Sequence, residues 1–297
     1  MIEILACGGQ LTVQDLGRIG YAAWGIGPGG AADQRSLRLA NRLVGNAIGA
    51  AAFEVLLGGA RFRFRSAALV AITGANTRVL IDGAVGRSDG PQWIPAGAIV
   101  QLSTPTQRLR SYLAVRGGLA SPAVLGSRSV DERSGLGRAL RTGDVVPVGT
   151  DIASPPTVDM APAAAWPTEP VRLQAVRGPR DDWFTEASMQ LFASARYTVD
   201  AASDRIGTRL SGPSMQRCVE GELLSEPTVR GAVEVPPNGL PIVFGADHPT
   251  TCGYPVVAVL EPDSADIAAQ CRPGQVVTFS LIRPQIRLTT IEQGSSL

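Results

Sequence analysis

The stretch Arg61-Phe62-Arg63-Phe64-Arg65 alternates charged and aromatic side chains without a break. Successive side chains of a β-strand point to opposite faces, so this pattern is typical of an antiparallel strand with one buried and one solvated face. Short apolar runs separated by Gly, Pro, Asp or Asn predict further strands at 2–5, 69–73, 78–81, 98–102, 112–115, 145–148, 171–176 and 197–199. Many short strands with few helices predict a mainly β fold of closed or nearly closed antiparallel barrels.

Three segments between these strands have the pattern of short helices. The first is predicted at 31–44, after the glycine-rich loop 25–30, with Asp33 in its first turn, where a negative charge favours the helix dipole. The second is predicted to begin after Thr185 as its N-cap residue, and the third at 262–270.

A recurring turn divides the chain into two halves. A glycine that leads into a strand rich in apolar residues occurs at Gly97, Gly143 and Gly274. The turn at Gly143 lies at the end of the first half of the chain, and the turn at Gly274 lies near the end of the second half. Residues 150–170 are rich in Ala, Pro, Thr and Asp and lack periodicity. We therefore expect a first β-barrel domain at 1–150, a linker at 151–170 and a second β-barrel domain at 171–297.

Composition excludes several classes of function. With 44% hydrophobic residues and a net charge of +1 over 297 residues, the chain is expected to be globular, without bulk attraction to nucleic acid or anionic lipid. No apolar run approaches the roughly 20 residues that a membrane-spanning helix needs. The first residues have neither a basic region nor a long apolar core, which predicts a cytoplasmic protein without a signal peptide.

The chain contains no lysine, because all 27 of its basic residues are arginine. A Walker-type phosphate loop, a lysine Schiff base and a lysine-linked prosthetic group are therefore excluded from this chain. If ATP or biotin takes part, another chain must carry it or help to bind it. The four cysteines form no CxxC pair, and with a single histidine no metal site is expected.

The most chemically distinctive segment is Pro241–Pro255, PIVFGADHPTTCGYP, which contains the only histidine, His248. Strands are predicted on either side, at 241–244 and 254–260, so the polar residues between them lie on a connection held by a sheet. Candidate site residues here are Asp247, His248, Thr250 and Tyr254. The other interpretation is that Asp247 and the threonines only cap the turn while His248 lies at the surface.

Two further segments combine acidic and arginine residues. Residues 203–210 bring Asp204, Arg205 and Arg209 close together, and a guanidinium is well suited to bind carboxylate or phosphate oxygens. The alternative to ligand binding is a brace, which here means an ion pair between Asp and Arg that stabilises the loop itself. For Asp15 and Arg18 the same choice exists, and bracing of the loop is favoured there.

A set of segments spans nearly the whole chain, at 12–21, 40–46, 72–75, 112–118, 125–129, 203–207 and 247–255. Together these segments resemble the family called allophanate hydrolase subunit 2, also described as biotin-dependent carboxyltransferase. The family includes the C subunit of bacterial 5-oxoprolinase and the regulator KipA. The loop 27–33 departs from the family pattern, since Gly29 and Ala32 replace the usual Ser and Met, and Cys252 stands where Gly is usual. The matching segments lie in the same order as in the family.

The resemblance implies tandem cyclophilin-like antiparallel β-barrel domains. It also implies an obligate hetero-oligomeric partner, a KipI-like protein that corresponds to the B subunit of 5-oxoprolinase, and leaves a further A subunit open. Biotin, where this family uses it, is carried on a separate carrier protein, and ATP is bound with the partner subunits.

The leading functional hypothesis is a subunit of an ATP-dependent 5-oxoprolinase, a hydrolase that opens the lactam of 5-oxoproline to glutamate. In the scheme that the resemblance implies, ATP phosphorylates the lactam oxygen and water then attacks. Asp247 and His248 are predicted to position water or move a proton, and Arg205 to stabilise negative charge. Predicted substrate-binding residues are Arg209, Asp204, Thr250, Tyr254 and Asp33.

Two alternatives belong to other classes of function. The chain could be the carboxyltransferase half of a biotin-dependent urea carboxylase or allophanate hydrolase system, which would require a biotinylated carrier. It could also be a non-catalytic, KipA-like regulator that binds a KipI-like partner and has no turnover.

Overall fold

Strands dominate the computed structural model, which describes residues 1–161 and 165–283. The N-terminal half contains one α-helix, α1 (Gln34–Leu43). Its strands are β1 (Ile2–Cys7), β2 (Gln10–Gln14), β3 (Ala52–Leu56), β4 (Ala60–Phe64), β5 (Ala68–Gly74), β6 (Val79–Ile81), β7 (Ala84–Val85), β8 (Pro91–Ile94), β9 (Ile99–Leu102), β10 (Arg110–Val115) and β11 (Val145–Val146).

These strands form two sheets with a hydrophobic core between them. One sheet has the order β11-β1-β4-β9-β6-β7 and the other the order β2-β3-β10-β5-β8. The rings of Phe53 and Phe62 pack in the core with their centroids 4.9 Å apart. On β4, Phe62 and Phe64 are buried while the arginines between and after them are exposed, as the alternation predicts. The mainly β fold is thus confirmed, and the barrel expected for this half is observed as two packed sheets.

The elements of the C-terminal half are α2 (Glu186–Ser194), α3 (Pro262–Ala268), β12 (Val171–Arg177), β13 (Tyr197–Val199), β14 (Gly207–Ser211), β15 (Glu226–Pro227), β16 (Ala232–Glu234), β17 (Ile242–Phe244), β18 (Thr251–Cys252), β19 (Val256–Leu260) and β20 (Val276–Leu281). Seven of these strands form a closed barrel in the order β12-β19-β16-β17-β14-β13-β20. Neighbouring strands are antiparallel except at the closure, where β12 and β20 are parallel. Closure leaves no exposed edge, which protects the sheet from pairing with other chains.

The three predicted helices are present, and the start of α1 differs from the prediction. The helix begins at Gln34, and Asp33 is its N-cap residue rather than part of its first turn. The Asp33 carboxylate accepts a hydrogen bond from Ser36 N at 2.9 Å, which satisfies one of the free N–H groups at the helix start. Thr185 caps α2 as predicted, because its hydroxyl accepts from Ser188 N at 3.1 Å.

The glycine turns have the predicted form. Gly97, Gly143 and Gly274 all have φ between 86° and 93°, a region that favours glycine, and each precedes a strand. In the segment predicted as a linker, Ala153 N and Ala161 N donate to carbonyl oxygens of the N-terminal half. Linker residues 162–164 and residues 284–297 of the predicted second domain lie outside the described residues, and the domain boundaries stay predictions.

The two halves are joined by polar contacts between α1 and α3. The carboxylate of Asp266 on α3 accepts from Gln34 N and Arg35 N, the first residues of α1. Gln270, after α3, donates to Asp33 Oδ2 at 2.8 Å and accepts from Arg110 N. These bonds fix how the C-terminal barrel sits on the N-terminal half. Among the described residues, no helix is long and apolar enough to cross a membrane.

Candidate functional site

The segment Pro241–Pro255 forms the connection that the sequence predicts. β17 and β19 lie on either side of it, and both belong to the closed barrel. Between them, β18 pairs with β15, which holds the far end of the connection in place. Asp247, His248 and Thr250 therefore lie on a loop anchored at both ends, an arrangement that presents side chains in fixed positions.

His248 is a buried residue, with only 4% of its surface exposed. Its ring stacks on Phe244, with 5.9 Å between the centroids. Nδ1 lies 2.8 Å from the carbonyl oxygen of Pro249, so we assign the proton to Nδ1, which donates to that oxygen. Nε2 is then a bare acceptor; it is buried and has no hydrogen-bond partner among the described residues. The interpretation of His248 as a surface residue is wrong.

Burial lowers the pKa of His248 below its ordinary value, because the cationic form loses its hydration. The bond to Pro249 and the nearby Asp247 carboxylate act in the opposite direction and do not cancel this effect. The imidazole is therefore neutral near pH 7. A neutral ring with a free Nε2 can accept a proton or a hydrogen bond from a bound molecule.

Asp247 is held by two parallel hydrogen bonds from Arg205. Arg205 Nε lies 2.7 Å from Oδ2, and Nη2 lies 2.9 Å from Oδ1. Burial raises the pKa of Asp247, and the guanidinium offsets only part of this effect. Asp131 and Glu54 raise the pKa further, since nearby negative charges disfavour a second carboxylate.

Arg205 connects the loop of Asp247 to the N-terminal half. Its Nη1 lies 2.6 Å from Glu54 Oε1, and its Nη2 donates to the Gly30 carbonyl oxygen at 2.6 Å. Burial opposes the charge on Arg205, but the Glu54 and Asp247 carboxylates outweigh this and raise its pKa. Every nitrogen of the guanidinium has a protein acceptor, so this geometry gives Arg205 the task of positioning Asp247.

Sequence reasoning missed Glu54, which lies at the centre of this buried network. Its Oε2 accepts from Tyr112 Oη at 2.7 Å and from Ala32 N at 2.9 Å. Burial raises the pKa of Glu54, but Arg205 and Arg110 outweigh it, so the net pKa is lowered and the carboxylate stays charged. A glutamate within the apolar strand Ala52–Leu56 was the only signal in the sequence.

A pocket of about 180 Å³ lies next to His248. One wall is the loop of Asp247 and His248, and the other comes from two segments of the N-terminal half. Asp131, Arg133 and Ser134 were missed by sequence reasoning, although they form a short polar run. The lining residues are Gly25, Gly27, Asp131, Arg133, Ser134, Asp247, His248, Pro249, Thr250 and Thr251.

Four predicted substrate-binding residues lie away from this pocket. Asp204 is exposed, and its carboxylate accepts from Ile206 N and Gly207 N, which closes a turn. Arg209 is exposed on β14, and Tyr254 is 41% exposed. Asp33 lines a separate cavity of about 500 Å³ beside α1 and α3. Of the predicted substrate-binding residues, Thr250 alone lines the pocket, and these roles stay predictions.

Asp33 has an environment suited to a structural role. Burial raises its pKa, and the neighbouring Asp266 raises it further, while bonds from Ser36 and Gln270 act in the opposite direction. Because its oxygens accept from Ser36 and Gln270, Asp33 ties the start of α1 to the C-terminal half.

Fold and pocket together define a β protein of two joined halves with a polar site where they meet. The family model described as "Carboxyltransferase domain, subdomain A and B" matches residues 24–281. The chain belongs to this family, which confirms the resemblance found in the sequence.

The chain is similar to several curated proteins. It is 36% identical to the 5-oxoprolinase C subunit of Escherichia coli (strain K12), over 94% of this chain and 90% of that protein. It is 32% identical to the 5-oxoprolinase C subunit of Haemophilus influenzae, over 96% and 92%. Urea amidolyase of Saccharomyces cerevisiae is 31% identical over 94% of this chain, which matches only 16% of that protein.

Solved structures show the same fold. The crystal structure of TTHA0988 has a TM-score of 0.85 and 33% identity, covering 94% of this chain and 55% of that one. The Kluyveromyces lactis urea amidolyase has a TM-score of 0.85 and 29% identity, covering 95% of this chain and 19% of that one. The chain thus spans about half the length of TTHA0988 and about a fifth of the urea amidolyase.

Proposed function

We propose that the chain is the C subunit of an ATP-dependent 5-oxoprolinase, which hydrolyses 5-oxoproline to glutamate. The observation that carries this proposal is the similarity to the 5-oxoprolinase C subunit of Escherichia coli, which extends over 94% of this chain and 90% of that protein. The match to urea amidolyase covers a small part of a much longer chain. The naming of the relatives as subunits supports a hetero-oligomer with a KipI-like B subunit, and the same proposal includes a cytoplasmic location.

The pocket beside His248 supports hydrolysis of a small amide. Its volume of about 180 Å³ is below the roughly 300–1,000 Å³ of sites for drug-sized ligands, so it suits a molecule as small as 5-oxoproline. When the lactam oxygen is activated by phosphoryl transfer, water must still attack the ring carbon. In this proposal His248 Nε2 accepts the proton of that water, and Asp247 orients it.

ATP is too large for this pocket of about 180 Å³, and the chain has no lysine for a Walker-type phosphate loop. ATP would supply the phosphoryl group that activates the lactam carbonyl. We therefore assign nucleotide binding to the partner subunits. In this assignment, the chain binds the amide and accepts the proton of the attacking water.

A coupled ADP-release assay tests the proposal on the chain co-purified with its partner subunits. We expect ADP and glutamate from 5-oxoproline without any biotinylated carrier. The variant His248→Ala should lose at least about 100-fold in turnover, the lower range for loss of a general base. Unchanged turnover in His248→Ala, with the complex intact, would remove His248 from the mechanism.

Carboxyl transfer from biotin to urea or a similar amide is the second candidate. It is favoured by the carboxyltransferase family model and by the similarity to urea amidolyase. Because the chain has no lysine, biotin would have to arrive on a separate carrier protein. Turnover of urea only with that carrier would establish this function. A stable partner complex without either activity would instead support the KipA-like regulator.

A further inference from the structure

The structure gives different roles to Asp15 and Arg18, for which the sequence favoured bracing of the loop over a ligand site. The Asp15 carboxylate accepts from Ser127 Oγ and Ser129 Oγ, each at 2.6 Å, and from Arg128 N at 2.7 Å. These bonds fasten two loops of the N-terminal half to each other. Asp15 is therefore a brace, as predicted.

Arg18 uses only part of its hydrogen-bonding capacity. Its Nη2 donates to the Ser129 carbonyl oxygen at 2.5 Å, and only 2% of its surface is exposed. Its Nε and Nη1 are buried and have no hydrogen-bond partner among residues 1–161 and 165–283. A buried cation with unpaired donors is costly, so a position of this kind indicates a bound group that completes the bonds.

The unpaired Nη1 of Arg18 lies beside the wall of the pocket. A Cβ atom placed on Gly29 would lie 3.3 Å from Arg18 Nη1, 3.9 Å from Asp247 Oδ1 and 4.0 Å from Asp131 Cβ. Asp131 and Asp247 both line the pocket, and the neighbouring Gly27 lines it as well. Because residue 29 is glycine, the space between the guanidinium and these two aspartates is not filled by a side chain.

The groups around this space match an amide. Arg18 supplies a donor and Asp247 an acceptor beside this space, and the bare Nε2 of His248 is a second acceptor on a residue that lines the same pocket. An amide offers one carbonyl acceptor and one N–H donor, which complement these groups. We propose that Arg18 binds the carbonyl oxygen of the amide substrate, while the amide N–H faces Asp247 and His248.

This inference rests on the proposed function and names the residue that recognises the lactam. The sequence suggested that Arg205 contacts the carbonyl oxygen, and the inference gives this contact to Arg18 instead. All three guanidinium nitrogens of Arg205 already donate hydrogen bonds to protein acceptors. A donor already fixed beside the carbonyl oxygen would also stabilise negative charge that develops there.

Three ligands test the assignment on the purified complex by calorimetry. L-5-oxoproline carries both the lactam and a carboxylate, 2-pyrrolidinone keeps the lactam alone, and L-proline keeps the carboxylate but lacks the carbonyl oxygen in the ring. In the variant Arg18→Met we expect binding of 5-oxoproline and 2-pyrrolidinone to weaken at least tenfold and binding of L-proline to stay unchanged. The value of kcat/KM for 5-oxoproline should fall about 100-fold.

Arg128→Met is the matched control, because Arg128 lies in the loop that Asp15 fastens to the loop of Arg18 and donates to the carbonyl oxygen of Ser121, away from the pocket. It should leave all three affinities unchanged. If Arg18→Met does not fold, as judged by its thermal transition, Arg18→Lys replaces it as the test, because lysine keeps the positive charge on a shorter side chain. For that variant we expect a weaker but selective loss for the two lactams.

Two results would overturn the inference. Unchanged affinities in the Arg18 variants would reduce Arg18 to a brace, and a loss shared by 5-oxoproline and L-proline, but absent for 2-pyrrolidinone, would assign it to the carboxylate. If the wild-type complex does not bind 5-oxoproline but binds urea, the proposed function is refuted independently of Arg18. The affinities of the wild type and of Arg18→Met for urea would then decide whether Arg18 binds the amide. Binding of neither amide would overturn both.

Discussion

Arg205 Nη1 in the C-terminal half lies 2.6 Å from Glu54 Oε1 in the N-terminal half. Both side chains are more than nine-tenths buried, at 8% and 4% exposed. The same guanidinium forms two bonds with Asp247, the residue that precedes His248. The position of the candidate site therefore depends on a carboxylate in the middle of a core strand.

Replacing this carboxylate by an amide tests that dependence. Glu54→Gln leaves Arg205 without one of its two buried counter-charges, and breaking a buried ion pair costs about 3–5 kcal/mol. We expect the free energy of unfolding, measured in urea, to fall by this order and turnover of the complex to fall with it. Glu3→Gln is the control, since Glu3 pairs only at the surface with Arg63 and Arg65. Equal, small effects of both substitutions would contradict the importance of the Glu54–Arg205 pair.

The hydroxyl of Tyr112 completes the same network. It donates to Glu54 Oε2 at 2.7 Å and accepts from Asp33 N at 2.8 Å. In Tyr112→Phe both partners lose a bond while the ring keeps its packing, so we expect a loss of about 1–3 kcal/mol in the free energy of unfolding.

Tyr197 provides a matched control for that substitution. Its hydroxyl is buried and has no hydrogen-bond partner in the described part of the chain. Tyr197→Phe removes a polar group that makes no such bond, so stability should stay the same or rise. A larger loss for Tyr197→Phe than for Tyr112→Phe would show that the network contributes less than its geometry indicates.

Local patterns were sufficient to predict much of the fold. Alternation at Arg61–Arg65, the cap at Thr185 and the turn at Gly274 depend on neighbours in the sequence, and the structure agrees with each. Strands such as β3, in which nearly every residue is buried, lack alternation and were not delimited. Parallel pairing of β12 with β20 joins residues about a hundred positions apart, which no local pattern specifies.

The candidate site was predictable only in part for the same reason. The loop of Asp247 and His248 was visible because one histidine stands among turn residues. The opposite wall, with Asp131, comes from the other half of the chain and becomes apparent only when the halves meet. Arg205 and Arg209 are equivalent in the sequence, yet one points into the network and the other lies on the surface.

The single histidine allows a direct measurement of its protonation by NMR. Burial lowers the pKa of His248 below its ordinary 6.5, so we expect the ring C–H resonances to titrate with a midpoint below 6.5. An unfolded histidine binds its proton near 6.5, so the unfolded state takes up more protons than the folded state as the pH falls. The contribution of neutral His248 to the free energy of unfolding is therefore fully present above pH 6.5. It is lost as the pH falls through the pKa of His248 in the folded state, which lies below 6.5.

The variant His248→Asn removes this titration and checks its contribution. Between pH 7 and 5 its free energy of unfolding should fall less steeply than that of the wild type. The acidic limb of the rate profile of the wild-type complex should also lie below pH 6.5, because His248 must be neutral to accept a proton. A midpoint above 6.5 would contradict the lowering of the pKa by burial, and a midpoint above the pH of the assay would mean that His248 is mainly charged and could not act as a base.

Gly29 tests whether the space beside Arg18 is used by substrate. Its φ of +59° costs an alanine about 1–2 kcal/mol, and the added Cβ would lie 3.3 Å from Arg18 Nη1. Gly274→Ala is the control, because φ there is also positive, at +87°, but a Cβ would meet no atom within 4 Å. We expect both variants to lose stability in urea and Gly29→Ala alone to lose turnover, at least about tenfold, since its methyl group occupies the position next to the guanidinium. Full turnover in Gly29→Ala would place the reacting amide elsewhere in the pocket, because a methyl group and a carbonyl oxygen cannot share that space.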